Sequence, residues 1–242
     1  MKIKNSFHSY LSDTQYRNLT TVFQDLSNCI NGNWILTGSL SYGFYFDVSY
    51  PSKLRDIDIV LKALTGANPR AIVLPTVKQK FYVLFIEEAV LGYYFGLRHK
   101  ETGLWIDLFT PIHQPEFKKF KFENLKIKVQ TPEESFYTMI KALLHRKNNK
   151  LVVADKWLQN AKLLIKDIDT QKAHNIIEIN MEEYAHLLPK DITKTPESIV
   201  SYALNSAVGS DYRATSSKYP KRSVVTKNGI SIEQKEIWLK VV

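Results

Sequence analysis

Apolar residues recur at three- and four-residue steps between residues 12 and 31, at Tyr16, Leu19, Phe23, Leu26 and Ile30. That spacing predicts an amphipathic helix, with Ser12 placed to cap it and Gly32 to stop it. The pattern then shortens. Trp34–Leu36 reads as a strand, Thr37-Gly38-Ser39 as a turn, and Leu40 to Phe46 as a helix of roughly two turns. Pro51 and its polar neighbours make the following stretch a loop, and Asp56–Leu61 reads as the next strand. Residues 62–78, broken by Gly66, Pro69 and Pro75, fit neither period.

Three further strand-like runs follow: Phe81–Ile86, Val90–Arg98 and Leu104–Phe109, the last two joined by the turn "HKETG". "FKKFKFENLKIKV" alternates apolar and basic residues, as a hairpin with one solvated face does. Protection of an edge strand accounts for its lysines. At Thr131 the period changes again. Thr131 as cap, Pro132 in the first turn and Glu134 three residues after the cap form a helix start. Helical patterns then cover 131–147, 151–167, 171–179, 181–188 and 196–208. Residues 210–229 read as an exposed loop in which Tyr212 and Tyr219 interleave with basic residues, and the tail beyond fits helix or strand equally. The chain is therefore expected to be α+β. A mixed β-sheet core with flanking helices covers 1–129, and an α-helical domain covers 130–242.

Composition adds limits. Of 242 residues, 44% are apolar and 24% charged, the balance of a folded globular protein. The net charge of +9 is uneven: residues 1–112 carry +2 (11 basic, 9 acidic) and residues 113–242 carry +7 (22 basic, 15 acidic). A basic second half suits an anionic partner, although a lysine-rich solvated surface gives the same count. The single cysteine, Cys29, rules out a disulfide within the chain and a thiolate metal site, and its place in the helical pattern makes it a small core residue. The first residues lack the apolar stretch of a secretory signal, and Glu87 and Glu88 interrupt the longest apolar run. No membrane span and a reducing cytoplasmic location are expected.

The chemistry lies in three aspartates that the apolar pattern does not explain. Asp56 and Asp58 fall on one side of a strand, because side chains alternate with period two. Two like charges about 5–7 Å apart repel each other, and a divalent cation between them reverses that penalty. Oxygen ligands of this kind suit Mg²⁺ or Mn²⁺. Asp107 raises the same difficulty inside "WIDLF". If its strand neighbours the Asp56–Leu61 strand, three carboxylates converge, enough for a two-metal phosphoryl-transfer site. Gly38 and Ser39, between a strand and a helix, place backbone N–H groups where phosphate binds. Taken singly, each aspartate has an ordinary account: Asp56 as a cap or an ion pair with Arg55 or Arg98, Asp107 at an edge strand facing water.

The order "TGS…RDIDIVL…WIDLFT" resembles the nucleotidyltransferases of the DNA polymerase β type, and within them the bacterial minimal and abortive-infection-type enzymes. The resemblance implies that Gly38 and Ser39 hold a nucleoside triphosphate and that Asp56 and Asp58 bind both metals. It implies that Asp107 completes the metal that activates an acceptor hydroxyl. It also implies transfer of a nucleoside monophosphate with release of pyrophosphate, to a small molecule, a protein or an RNA end. Lys141 and Arg146 match the subgroup's helical Lys and Arg, and Lys141 would contact the triphosphate. "KLVVADKW" departs from it, with Leu151 where an Asp is expected. Two other readings stand beside this one. A nucleotidyltransferase-like fold could serve as a binding module for nucleic acid or protein without catalysis. In biological role, the chain could be a toxin or phage-defence component with an antitoxin partner.

Overall fold

The computed structural model describes residues 11–46, 56–61, 69–89, 92–111, 115–148, 153–206, 208–209, 225–226 and 229–230. The chain divides into two compact units, residues 1–130 with 224–242, and residues 131–223.

The first unit is a seven-stranded mixed sheet. Its strands are β1 (Trp34–Thr37), β2 (Asp56–Leu61), β3 (Phe81–Ala89), β4 (Gly92–His99), β5 (Trp105–Pro111), β6 (Phe117–Phe122) and β7 (Leu125–Gln130), in the order β3-β4-β5-β2-β1-β7-β6. β2 runs parallel to β5 and antiparallel to β1, and β1 runs parallel to β7. One face of the sheet is apolar. Leu36, Ile57, Ile59, Phe95, Leu97, Ile106, Leu108 and Val129 are all fully buried. They form one core with Leu19, Val22, Phe23 and Leu26 of helix α1 (Asp13–Cys29) and Val73 and Val77 of α3 (Pro69–Val77). Each such side chain contributes about 1.5–3 kcal/mol by leaving water. The α1 helix begins as its sequence predicts, with Ser12 and Gln15 in a reciprocal capping box.

The helix after β1 differs from its expected span. It is α2, Gly38–Tyr42, and residues 43–46 form a turn. Gly38 adopts φ +66, which lets the chain turn into the helix directly after β1. The breaker-rich stretch 62–78 contains α3, with Pro75 inside it. β6 is an edge strand carrying the exposed Lys118, Lys119 and Lys121, as edge protection requires.

The second unit contains α4 (Pro132–Asn148), α5 (Asp155–Asp167), α6 (Thr170–Ile179) and α7 (Pro196–Leu204). Thr131 caps α4, its Oγ1 accepting from Glu134 N at 3.4 Å, and Thr195 caps α7 in the same way. The expected helix over 181–188 is replaced by two 3₁₀ turns, Met181–Glu183 and Ala185–Leu187. Asn180 closes α6 and Pro189 follows at once, leaving too few residues for a stable α-helix. Val153–Ala154 forms a short strand, β8, parallel to β9 (Val208–Gly209). Within the expected loop 210–229, Val225–Thr226 (β10) pairs with Gly229–Ile230 (β11). The tyrosine-rich part of that segment lies outside the described residues. Among the described residues no helix is long and apolar enough to cross a membrane.

Candidate active site

The register of the central strands decides which side chains meet. Along β1, β2 and β5, Thr37 lies opposite Asp58, and Asp58 opposite Asp107; Asp56 lies opposite Trp105. Residues paired across neighbouring strands project from the same face. Asp56, Asp58, Trp105 and Asp107 therefore share the face opposite the apolar core, while Ile57, Ile59, Ile106 and Leu108 between them build that core. The alternation read from the sequence thus sorts carboxylates from core on both strands.

Asp107 is 3% exposed on a strand flanked by β2 and β4, which removes the account of an edge residue facing water. Its Oδ1 accepts from Tyr94 Oη at 2.8 Å and from Trp105 Nε1. Asp58 is half-buried, and Gly38 sits against it: a Cβ built on Gly38 would come within 2.1 Å of Asp58 Oδ2. Glycine at 38 is thus required twice, by its positive φ and by the nearness of the carboxylate. Asp56 is half-buried, one strand repeat before Asp58. Arg98, one candidate partner for Asp56, donates its Nε to Gly103 O at 3.1 Å, and burial lowers its pKa.

Among the described residues, no three Asp, Glu, His or Cys side chains are gathered closely enough to hold a metal ion. The expected three-way convergence is thus an abreast pair, Asp58 and Asp107, with Asp56 about 7 Å further along β2, the span of two strand residues. This donor set still fits a hard divalent cation. Mg²⁺ commonly takes one or two carboxylates and completes its shell with phosphate oxygens and water. The Asp58 carboxylate itself takes up the position that a Cβ on Gly38 would need.

The Gly-Ser turn is arranged so that its helix start is not capped from within. Thr37 occupies the N-cap position, yet its hydroxyl makes no cap bond and donates instead to Gln130 Oε1. Ser39 is exposed, and Ser41 Oγ donates to Gly38 O at 2.7 Å. The sheet therefore brings Gly38, Ser39, Asp56, Asp58 and Asp107 to one region. Lys141 belongs to the second unit, half-buried on α4 with its Nζ 5.8 Å from the Tyr137 ring centroid; His145, one turn on, is exposed.

Sequence reasoning missed Thr37, Gln130, Tyr94 and Trp105 as parts of this region. Trp105 carried a usable signal, since the Trp-x-Asp spacing puts both side chains on one face of a strand. Tyr94 and Gln130 carried none, because their places depend on which strands become neighbours.

No family model matches the chain, and no curated protein matches it. Several solved structures share its general course. An antigenic nucleotidyltransferase-like protein from Paracoccidioides brasiliensis is 12% identical, with 82% of this chain and 95% of that one covered at a TM-score of 0.43. A Thermotoga maritima protein, named provisionally as a nucleotidyltransferase, is 16% identical over 63% of this chain and 98% of its own, with a TM-score of 0.44. The protein JHP933 from Helicobacter pylori is 12% identical over 80% and 91%, at 0.41. Likenesses this distant carry no weight in assigning chemistry to particular residues.

Proposed function

We propose that the chain is a metal-dependent nucleotidyltransferase of the DNA polymerase β type, transferring a nucleoside monophosphate from a triphosphate to a hydroxyl. The observation that carries this reading is the register Thr37–Asp58–Asp107 with Gly38 packed against Asp58. It sets two carboxylates beside a turn of the kind that receives phosphate. In this reading Asp56, Asp58 and Asp107 hold Mg²⁺ or Mn²⁺, which when bound supplies Lewis-acid stabilisation of charge on the phosphoryl oxygens. Gly38 and Ser39 receive the triphosphate through backbone N–H groups and the exposed Ser39 hydroxyl. Asp107 stands on the acceptor side, where the new oxygen–phosphorus bond forms as the bond to pyrophosphate breaks. The acceptor is an RNA end, a protein side chain or a small molecule. The biological roles this chemistry fits include a toxin or defence component with an antitoxin partner, working in the cytoplasm.

Incubation with each labelled triphosphate and Mg²⁺ tests the reading. Transfer is expected in the native protein and is expected to vanish in Asp56→Ala and Asp58→Ala with the fold retained. Turnover that persists in those variants would sink it. A second reading, a binding module without catalysis, is favoured by the lack of three gathered ligands among the described residues. It predicts binding to RNA that weakens steeply with salt and is indifferent to Mg²⁺.

A further inference from the structure

A carboxylate as buried as Asp107 requires donors, and the two recorded at its Oδ1 are both aromatic. Neither ring is loose. The Tyr94 ring stacks on Phe109, with centroids 4.8 Å apart and planes 8° from parallel, and meets Phe85 edge-on at 5.0 Å. The Trp105 ring lies 6.1 Å from the same Phe85. With Leu84, the Phe85, Trp105 and Tyr94 side chains form a small apolar cluster separate from the main core. Phe85 can stand between the two donors because of the residue opposite Asp107 on β4, which is Gly96. A Cβ built on Gly96 would come within 2.2 Å of the Phe85 ring. One glycine thus admits one phenylalanine, which buttresses a phenol and an indole that grip the same carboxylate oxygen.

This is more order than burial alone demands. A single donor satisfies one carboxylate oxygen, whereas two donors from different strands fix its torsion as well. Outer partners of this type orient metal-ligating carboxylates. We propose that Phe85, Tyr94 and Trp105, admitted by Gly96, form an aromatic brace that holds Asp107 in one orientation for cation binding and phosphoryl transfer. Tyr94 and Trp105 are positioning residues acting through Asp107. The inference rests on the nucleotidyltransferase reading only for the reaction; the brace itself is a statement about how Asp107 is held.

The test uses the full chain and Mn²⁺ as the probe. Tyr94→Phe removes the hydroxyl and keeps the stacked ring; Trp105→Phe removes the indole N–H. Direct calorimetric titration with Mn²⁺ should show each variant binding about 10-fold more weakly than native protein, the lower end of losses at outer-shell partners. Kinetics should show a similar fall in kcat, with KM for the triphosphate within about twofold. Asp107→Asn is the reference that ties the measured Mn²⁺ to this carboxylate. A purely structural role predicts lower melting temperatures with Mn²⁺ affinity and kcat unchanged, and that result overturns the proposal. If native protein binds Mn²⁺ and Tyr94→Phe weakens it, yet no triphosphate is turned over, the brace stands and the transferase reading fails. Native protein that neither binds Mn²⁺ nor transfers overturns both.

Discussion

Among the described residues the first unit buries two aspartates, and they keep different company. Asp25 on α1 is 7% exposed, with Lys80 Nζ at 3.4 Å and His99 Nε2 at 2.9 Å. Thr102 N donates to His99 Nδ1 at 3.2 Å, so the neutral ring carries its proton on Nε2 and donates it to Asp25. His99 is itself 1% exposed. This pair fastens α1 to the C-terminal end of β4, with Lys80, just before β3, as a second partner. The donors recorded at Asp107 are neutral, a phenol and an indole. A cationic partner both satisfies a carboxylate and offsets its charge. Neutral donors orient it while adding no formal positive charge. Two aspartates of similar burial thus meet different kinds of donor, a lysine and an imidazole at Asp25, a phenol and an indole at Asp107.

The sharpest way to break that contrast is to remove each acid in turn. Asp107→Ala should lower transfer by at least about 100-fold, beyond the losses seen when only an outer partner of a ligand is removed. Asp25→Ala should cost about 1–3 kcal/mol of stability, because it leaves the buried His99 N–H without its acceptor, while the folded fraction keeps its turnover. Parallel urea melts and transfer assays decide the matter. Equal loss of activity per folded molecule in both variants would erase the distinction.

Gly38→Ala probes the turn that faces the carboxylates. The positive φ alone costs about 1–2 kcal/mol for a residue with a Cβ, and the new methyl group must displace Asp58 Oδ2. Transfer should fall about tenfold or more, since even small misplacements at a reacting centre are expensive. Activity unchanged in a destabilised variant would separate the turn from the site. The smallest effect concerns Tyr16, whose hydroxyl donates to Glu123. Partial burial, then the hydrogen bond and charge of Glu123, push its pKa well above the ordinary tyrosine value. The folded state therefore keeps a proton that the unfolded state gives up near pH 10, so stability is level below about pH 10 and falls above it. Urea midpoints across that range should decline in native protein and flatten in Tyr16→Phe.

Much of this was legible in the sequence, and the exceptions have a common cause. The period-two alternation around Asp56, Asp58 and Asp107 assigned each side chain to its face, and the helix starts at Ser12 and Thr131 were marked by residues that cap locally. What sequence left conditional was adjacency. Asp58 and Asp107 are distant in the chain, and only the parallel β2–β5 pairing sets them abreast. The same holds for Tyr94 across β4–β5 and for Gln130 beneath Thr37. Local errors came from marginal lengths. The helix expected from Leu40 begins two residues earlier because Gly38 makes the turn, and the run 181–188 is too short between Asn180 and Pro189 to hold a full α-helix.

The β2–β5 pairing also penalises its own misalignment. Slipping β5 by one residue along β2 would bring Leu108 out beside Asp58 and turn Asp107 toward the core. That arrangement buries a charge among fully apolar residues and exposes a leucine, so it is energetically disfavoured. Correct sorting of the greasy side of these two strands is the same event as alignment of their carboxylates. A population of molecules with a formed sheet and a misaligned pair is therefore not expected, and the fraction competent for chemistry should equal the fraction folded.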